Sequence, residues 1–150
     1  MLNQQYRLAL DKPEVIKILN KECTLLIRDL NSFQRKMRAG DFIIGTETFG
    51  ILESGTFIHQ IGATEEQGVE IRHNGRWKPP FSLPSEHSRF KLEVRNLARK
   101  LLKEISSEEF MEAGYRFKKD FMEAFTRRFD EHRWRLNEQP VSLIWFRRIL

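Results

Sequence analysis

The chain is poor in the features that mark disulfide-stapled, membrane-spanning or metal-dependent proteins. Its one cysteine, Cys23, rules out an intramolecular disulfide, so a packed core has to hold the fold, and the thiol suits a reducing compartment. No apolar run approaches the length of a membrane helix, and the opening MLNQQYRLALDKP lacks the apolar segment and small-residue cleavage site of a secretory leader. The expectation is a cytoplasmic protein that makes no membrane contact. The four histidines, His59, His73, His87 and His132, show no ligand spacing among themselves or with Cys23. Walker, G-x-G-x-x-G and G-x-S-x-G motifs are missing too. Glu47, Glu53 and Glu70 with Lys78 resemble a nuclease's metal carboxylates only loosely, since no acidic pair is followed by E-x-K on a strand. No metal, cofactor or catalytic residue is expected.

What is present is core material and sorted charge. Twelve Phe and three Trp sit within a hydrophobic fraction of 40%, while 31% charged residues and a mean hydropathy of −0.54 keep the surface wet. At 150 residues this composition fits one α+β domain over residues 1–150. The net charge of +5 conceals a division along the chain. Residues 41–71 hold six acids and no Lys or Arg, whereas residues 72–103 hold nine bases and only Glu86 and Glu93. Clustered charge sets a local potential that scattered charge does not, so an anionic partner is indicated for part of the surface.

Apolar residues return at helical spacing from Ile16 through Leu19, Cys23, Leu26, Leu30 and Phe33 to Met37, which predicts a long N-terminal helix over Pro13–Arg38, capped by Asp11 and stopped by Gly40. Within it, Thr24 to Ile27 also suits a buried strand. From Asp41 the period changes. Short β-branched and aromatic runs at 42–45, 48–52, 56–61, 69–73 and 76–78 predict a small antiparallel β-meander with a hairpin turn at Asn74-Gly75. Pro79, Pro80 and Pro84 then enforce an extended connection. Ser85 is placed to cap a second helix running to about Ile105, and Ser106, with Glu109 three residues on, a third reaching about Asn137. The tail from Val141 to Leu150 fits a strand or a helix. Two C-terminal helices packed on the sheet complete the expected fold.

The second expected helix carries the main functional candidate. On a helical projection Phe90, Val94, Leu97 and Leu101 share one face, and Lys91, Arg95, Arg99 and Lys103 climb the other at i, i+4 steps. Like charges at that spacing weaken an isolated helix unless an anion meets them. Arg89 extends this footprint, as do Arg72, Arg76 and Lys78 around the Asn74-Gly75 turn, where Trp77 is placed either to stack on a base or to close the core edge. Noncatalytic binding of nucleic acid, DNA or RNA, through phosphate contacts is the leading reading. The alternative is a protein-interaction module, an adaptor or inhibitor, whose basic helix meets an acidic partner and whose Trp134, Trp145 and Phe146 anchor the contact. The plainest reading leaves the bases as a solvated face neutralised by the acidic 41–71 segment.

Overall fold

The computed structural model describes residues 3–30, 36–126 and 138–150. Strand β1 (Gln5–Ala9) leads into α1 (Lys12–Leu19). Asp11 and Glu14 each accept the other's backbone N–H in a capping box, and Pro13 fits the first turn. The helix lasts eight residues. Lys21 adopts φ 60°, and the Glu22 N–H reaches back 2.8 Å to the Lys17 carbonyl, which satisfies the helix end in the manner of a glycine stop. The expected long N-terminal helix over 13–38 is therefore corrected to a short one. Leu25–Asp29 forms strand β2, buried along its whole length.

The remaining strands are β3 (Phe42–Thr46), β4 (Phe49–Ile51), β5 (Phe57–His59), β6 (Phe90–Leu101) and β7 (Pro140–Arg148). Five of them form a mixed sheet in the order β1-β3-β6-β7-β2, with β1 parallel to β3 and the other neighbours antiparallel. Strands β4 and β5 pair separately. The second expected helix is thus strand β6, whose 12 residues lie between β3 and β7 and pair with both. A bulge between Val94 and Asn96 leaves Arg95 without a ladder partner on β7. The expected meander is corrected as well. Its 69–73 run belongs to helix α2 (Glu65–Asn74), which Thr64 and Gln67 cap, and Gly75 ends that helix instead of turning a hairpin.

The third expected helix is two: α3 (Ser107–Glu112), opened by the Ser106–Glu109 capping box, and α4 (Lys118–Thr126). Gly114 (φ 88°) separates them, and the Tyr115 N–H returns to the Phe110 carbonyl at 2.9 Å. The stretch expected to continue to Asn137 lies outside the described residues beyond Thr126.

The sheet carries apolar side chains on both faces, and β2 shows the division residue by residue. Leu26 joins Val15 and Ile18 of α1, Ile43, Leu92, Val94 and Ile144 in one core. Leu25 and Ile27 join Phe110, Phe121, Phe125, Val141 and Leu143 in the other. The fold is a mixed α+β sandwich with α1 on one side of the sheet and α3 and α4 on the other. No helix among the described residues is long and apolar enough to cross a membrane.

Candidate nucleic-acid interface

A strand changes what the basic residues of β6 can do together. Side chains alternate between faces along a strand, and from Lys91 to Leu101 the rise carries the chain roughly 33 Å. Lys91 sits on the sheet face of Phe42, with its ammonium 4.6 Å from that ring's centre. Arg99 is paired with Ser142 and, two residues after Leu97, takes the opposite face. Arg95 protrudes at the bulge and reaches Glu93 at 3.1 Å, a contact that holds the Glu93 carboxyl below its usual range with help from Arg147. Lys103 lies beyond the strand end in a single 3-10 turn. These four residues therefore form no common stripe, which corrects the basic helix expected from their spacing.

The acidic 41–71 segment takes up little of this basic charge. Glu47, 2% exposed, holds Arg89 through two hydrogen bonds of 2.8 and 2.7 Å, and Arg89 also donates to the Ile61 carbonyl. Asp41 instead accepts backbone N–H groups of Gln4 and Arg38, and Glu70 accepts that of Glu53. Further along, Lys100 pairs with Glu109 of α3 at 2.8 Å. Arg72, Arg76, Lys78, Arg99 and Lys103 carry no ion pair with any described residue. Of the aromatic anchors, Phe146 is 6% exposed and belongs to the core, Trp145 donates its indole N–H to Glu112 at 3.0 Å, and Trp134 lies outside the described residues.

Arg76 and Lys78 do come together, at a cleft of about 470 Å³ lined also by Phe49, Ile51, Phe57, Pro79, Phe81, Ser82 and Pro84. One wall is the β4–β5 pair. Lys78 is joined to it by two backbone hydrogen bonds with Phe49, the Lys78 N–H donating at 2.6 Å and the Phe49 N–H at 3.2 Å. Behind β4, the Ile71 side chain of α2 packs so close that a Cβ on Gly50 would stand 2.5 Å from the Ile71 Cδ1, so a larger residue there would have to displace that side chain. Phe49 stacks on Phe57 with ring centres 5.6 Å apart, and Phe57 stacks on His87 at 3.8 Å with the planes 6° apart.

The facing wall is the proline-rich connection, which turns once as a 3-10 helix over Pro80–Ser82. It is fastened to the sheet edge by Arg7 of β1, whose guanidinium donates to the carbonyls of Phe81 and Leu83 and to the Ser85 hydroxyl. Leu83 is fully buried beneath it, while Phe81 stands 77% exposed. Among the described residues, two cations and no carboxylate line the cleft. Beside it, burial pushes the His59 imidazole below its ordinary value against the pull of Glu47, whose carboxylate is 3.6 Å from Nδ1. Burial likewise pushes the Cys23 thiol up to about 11, leaving it unreactive at neutral pH. Among the described residues, no three His, Cys, Asp or Glu side chains gather as metal ligands would.

No protein-family model matches the chain, and no curated protein does. Among solved structures it is similar to a hypothetical protein, PH0355, at 15% identity and a TM-score of 0.58, covering 97% of this chain and 100% of that one. It is also similar to the ASCH domain from Lactobacillus crispatus JV V101, at 10% identity and a TM-score of 0.55, covering 97% of this chain and 79% of that one. These likenesses are of fold alone. The cleft residues that sequence reasoning missed are Phe49, Phe57 and Phe81. Only Phe81 carried a signal: a large aromatic in a proline-rich connection has no strand or helix to bury it.

Proposed function

We propose that this protein binds nucleic acid without acting on it chemically. The observation that carries the reading is the pair Arg76 and Lys78, exposed and without an ion pair to any described residue, on an aromatic cleft that no described carboxylate lines. A cation left without an internal partner is free to release counterions from a phosphate backbone, which is the source of sequence-independent affinity. Arg72 on the last turn of α2 extends the footprint on that side. Lys91, Arg95, Arg99 and Lys103 contribute from separate positions along β6 and its exit, while Arg89 serves chiefly to hold Glu47.

The reading is tested by fluorescence anisotropy with labelled oligonucleotides across a salt series. Three phosphates neutralised on a single strand give a slope near −2, so raising salt from about 50 to about 200 mM weakens binding roughly 20-fold. Arg76→Glu with Lys78→Glu is expected to weaken binding by at least tenfold and to flatten the slope, since both side chains are exposed and the fold does not depend on their charge. No measurable binding by the parent at about 50 mM salt refutes the reading.

A further inference from the structure

We infer that the cleft beside Phe81 takes one unpaired nucleobase, so that the protein selects single-stranded over duplex nucleic acid; this rests on the nucleic-acid reading above and narrows it. Phe81 is the decisive residue. A phenyl ring left 77% exposed is ordinarily a mobile surface side chain, but here the backbone under it is fixed, because Arg7 holds the Phe81 carbonyl at 3.2 Å and Leu83 is buried two residues on. The ring is therefore presented, on one wall of a cleft whose other wall is the stacked Phe49–Phe57 pair.

The volume of about 470 Å³ lies within the range of pockets that admit small planar ligands. The exposed Phe81 ring suits the face of a base, Phe49 and Phe57 supply apolar lining, and Ser82, which lines the same cleft, carries a hydroxyl that can donate to or accept from a base edge. Arg76 and Lys78 stand on the same cleft, where the phosphates flanking an inserted base would pass. In a duplex the base faces are covered by their neighbours in the stack, so Phe81 has nothing to stack upon. An unpaired base offers its face freely, and every base has one, so little sequence preference is expected. An acidic peptide would satisfy the two cations equally well but would leave the exposed Phe81 ring unused, which is why a nucleic acid is the occupant favoured here.

The test compares a dye-labelled single strand with the same strand annealed to its complement, using the parent, Phe81→Ala and Phe81→Trp, each checked for an unchanged melting temperature. The parent is expected to bind the single strand at least tenfold more tightly than the duplex. Phe81→Ala is expected to weaken single-strand binding by about 5- to 150-fold while leaving duplex binding unchanged, and Phe81→Trp to retain it, as loss of one stacked base predicts. Equal affinity for both forms, unmoved by Phe81→Ala, overturns this inference and leaves the nucleic-acid reading standing. Binding to neither form overturns both. Displacement of the single strand by polyglutamate at matched charge concentration also overturns it, because charge alone would then account for occupancy.

Discussion

Separating Glu14 from Arg28 is expected to be among the most damaging changes available in this fold. Both residues are buried, at 6% and 7% exposure, and they tie α1 to β2. Arg28 donates from Nη2 to Glu14 Oε1 at 2.7 Å and to the Ala9 carbonyl at 3.1 Å, and from Nη1 to Glu14 Oε2 as well. Glu14→Gln removes the charge but keeps an acceptor for the Asp11 N–H, so the helix cap survives while the guanidinium loses its counterion. Arg28→Met leaves the carboxylate buried in turn. Breaking a buried pair from one side costs about 3–5 kcal/mol, because the remaining charge has no water to return to. In a domain of this length each kcal/mol shifts the melting temperature by about 2–4 °C, so either single variant is expected to melt roughly 6–20 °C lower. The double variant Glu14→Gln/Arg28→Met removes both charges together and should recover much of that loss, since replacing a buried pair by neutral groups is often nearly neutral. Circular dichroism melts and urea titrations with unchanged m-values measure all three. A double variant that loses the sum of the two single losses would refute the reasoning, for the damage would then come from packing and not from the broken charge pair.

The aromatic core over the second sheet face gives a further expectation: Phe121, 4% exposed, touches the rings of Phe110, Tyr115 and Phe125 at 5.0–5.3 Å between centres. Phe121→Ala and Phe125→Ala should each cost about 3–5 kcal/mol in urea unfolding, and unchanged midpoints for both would mean that the stripe is not core. At the end of α1, Lys21→Gly is expected to stabilise by about 0.5–1 kcal/mol, since glycine adopts the left-handed φ of 60° without the Cβ penalty and repays only part of that gain in chain entropy. A lower melting temperature would contradict this. Acid should act partly through Glu109: burial works to raise its carboxyl, but the Lys100 ammonium and the Ser106 N–H outweigh it and hold the group below the ordinary 4.5. Its contribution is thus complete above 4.5 and lost as pH falls below that value, so Lys100→Met should show a smaller loss over the same window; parallel curves for variant and parent would exclude the pair as a cause.

Some element boundaries could be read from local chemistry, because the signals are local. Asp11 with Glu14 and Ser106 with Glu109 open helices where their spacing places them. The stop of α1 had no such mark, since the residue taking positive φ is Lys21 and a lysine does not announce a turn. The misreading of β6 has a more specific origin. Phe90, Leu92 and Val94 alternate as a strand requires, but the bulge at Arg95 shifts the phase by one, so the inward positions resume at Leu97. Skipping Leu92, the remaining set at 90, 94, 97 and 101 has the spacing of a helix face. Helix α2 was hidden for the opposite reason: it buries only Gly68 and Ile71, too little to make a stripe, and its Thr64–Gln67 capping box lies ahead of the 69–73 run expected to be a strand. The cleft is assembled from β4, β5 and the connection after α2, segments brought together by pairing that no window of sequence contains.

The place of β7 in the sheet bears on how the chain is made. Strand β2, formed from residues 25–29 and buried throughout, has β7 as its one neighbour among the described strands, and β7 is drawn from residues 140–148. During synthesis from the N-terminus, more than a hundred residues must leave the ribosome before Leu25, Leu26 and Ile27 find the strand that pairs with them. Until then an apolar segment with open backbone hydrogen-bonding groups has to be kept from pairing with its neighbours, the kind of exposure that makes nascent chains depend on chaperones. Shortening the chain by its last strand would strand β2 permanently in that condition, so truncations that spare the cleft entirely would still abolish a folded product.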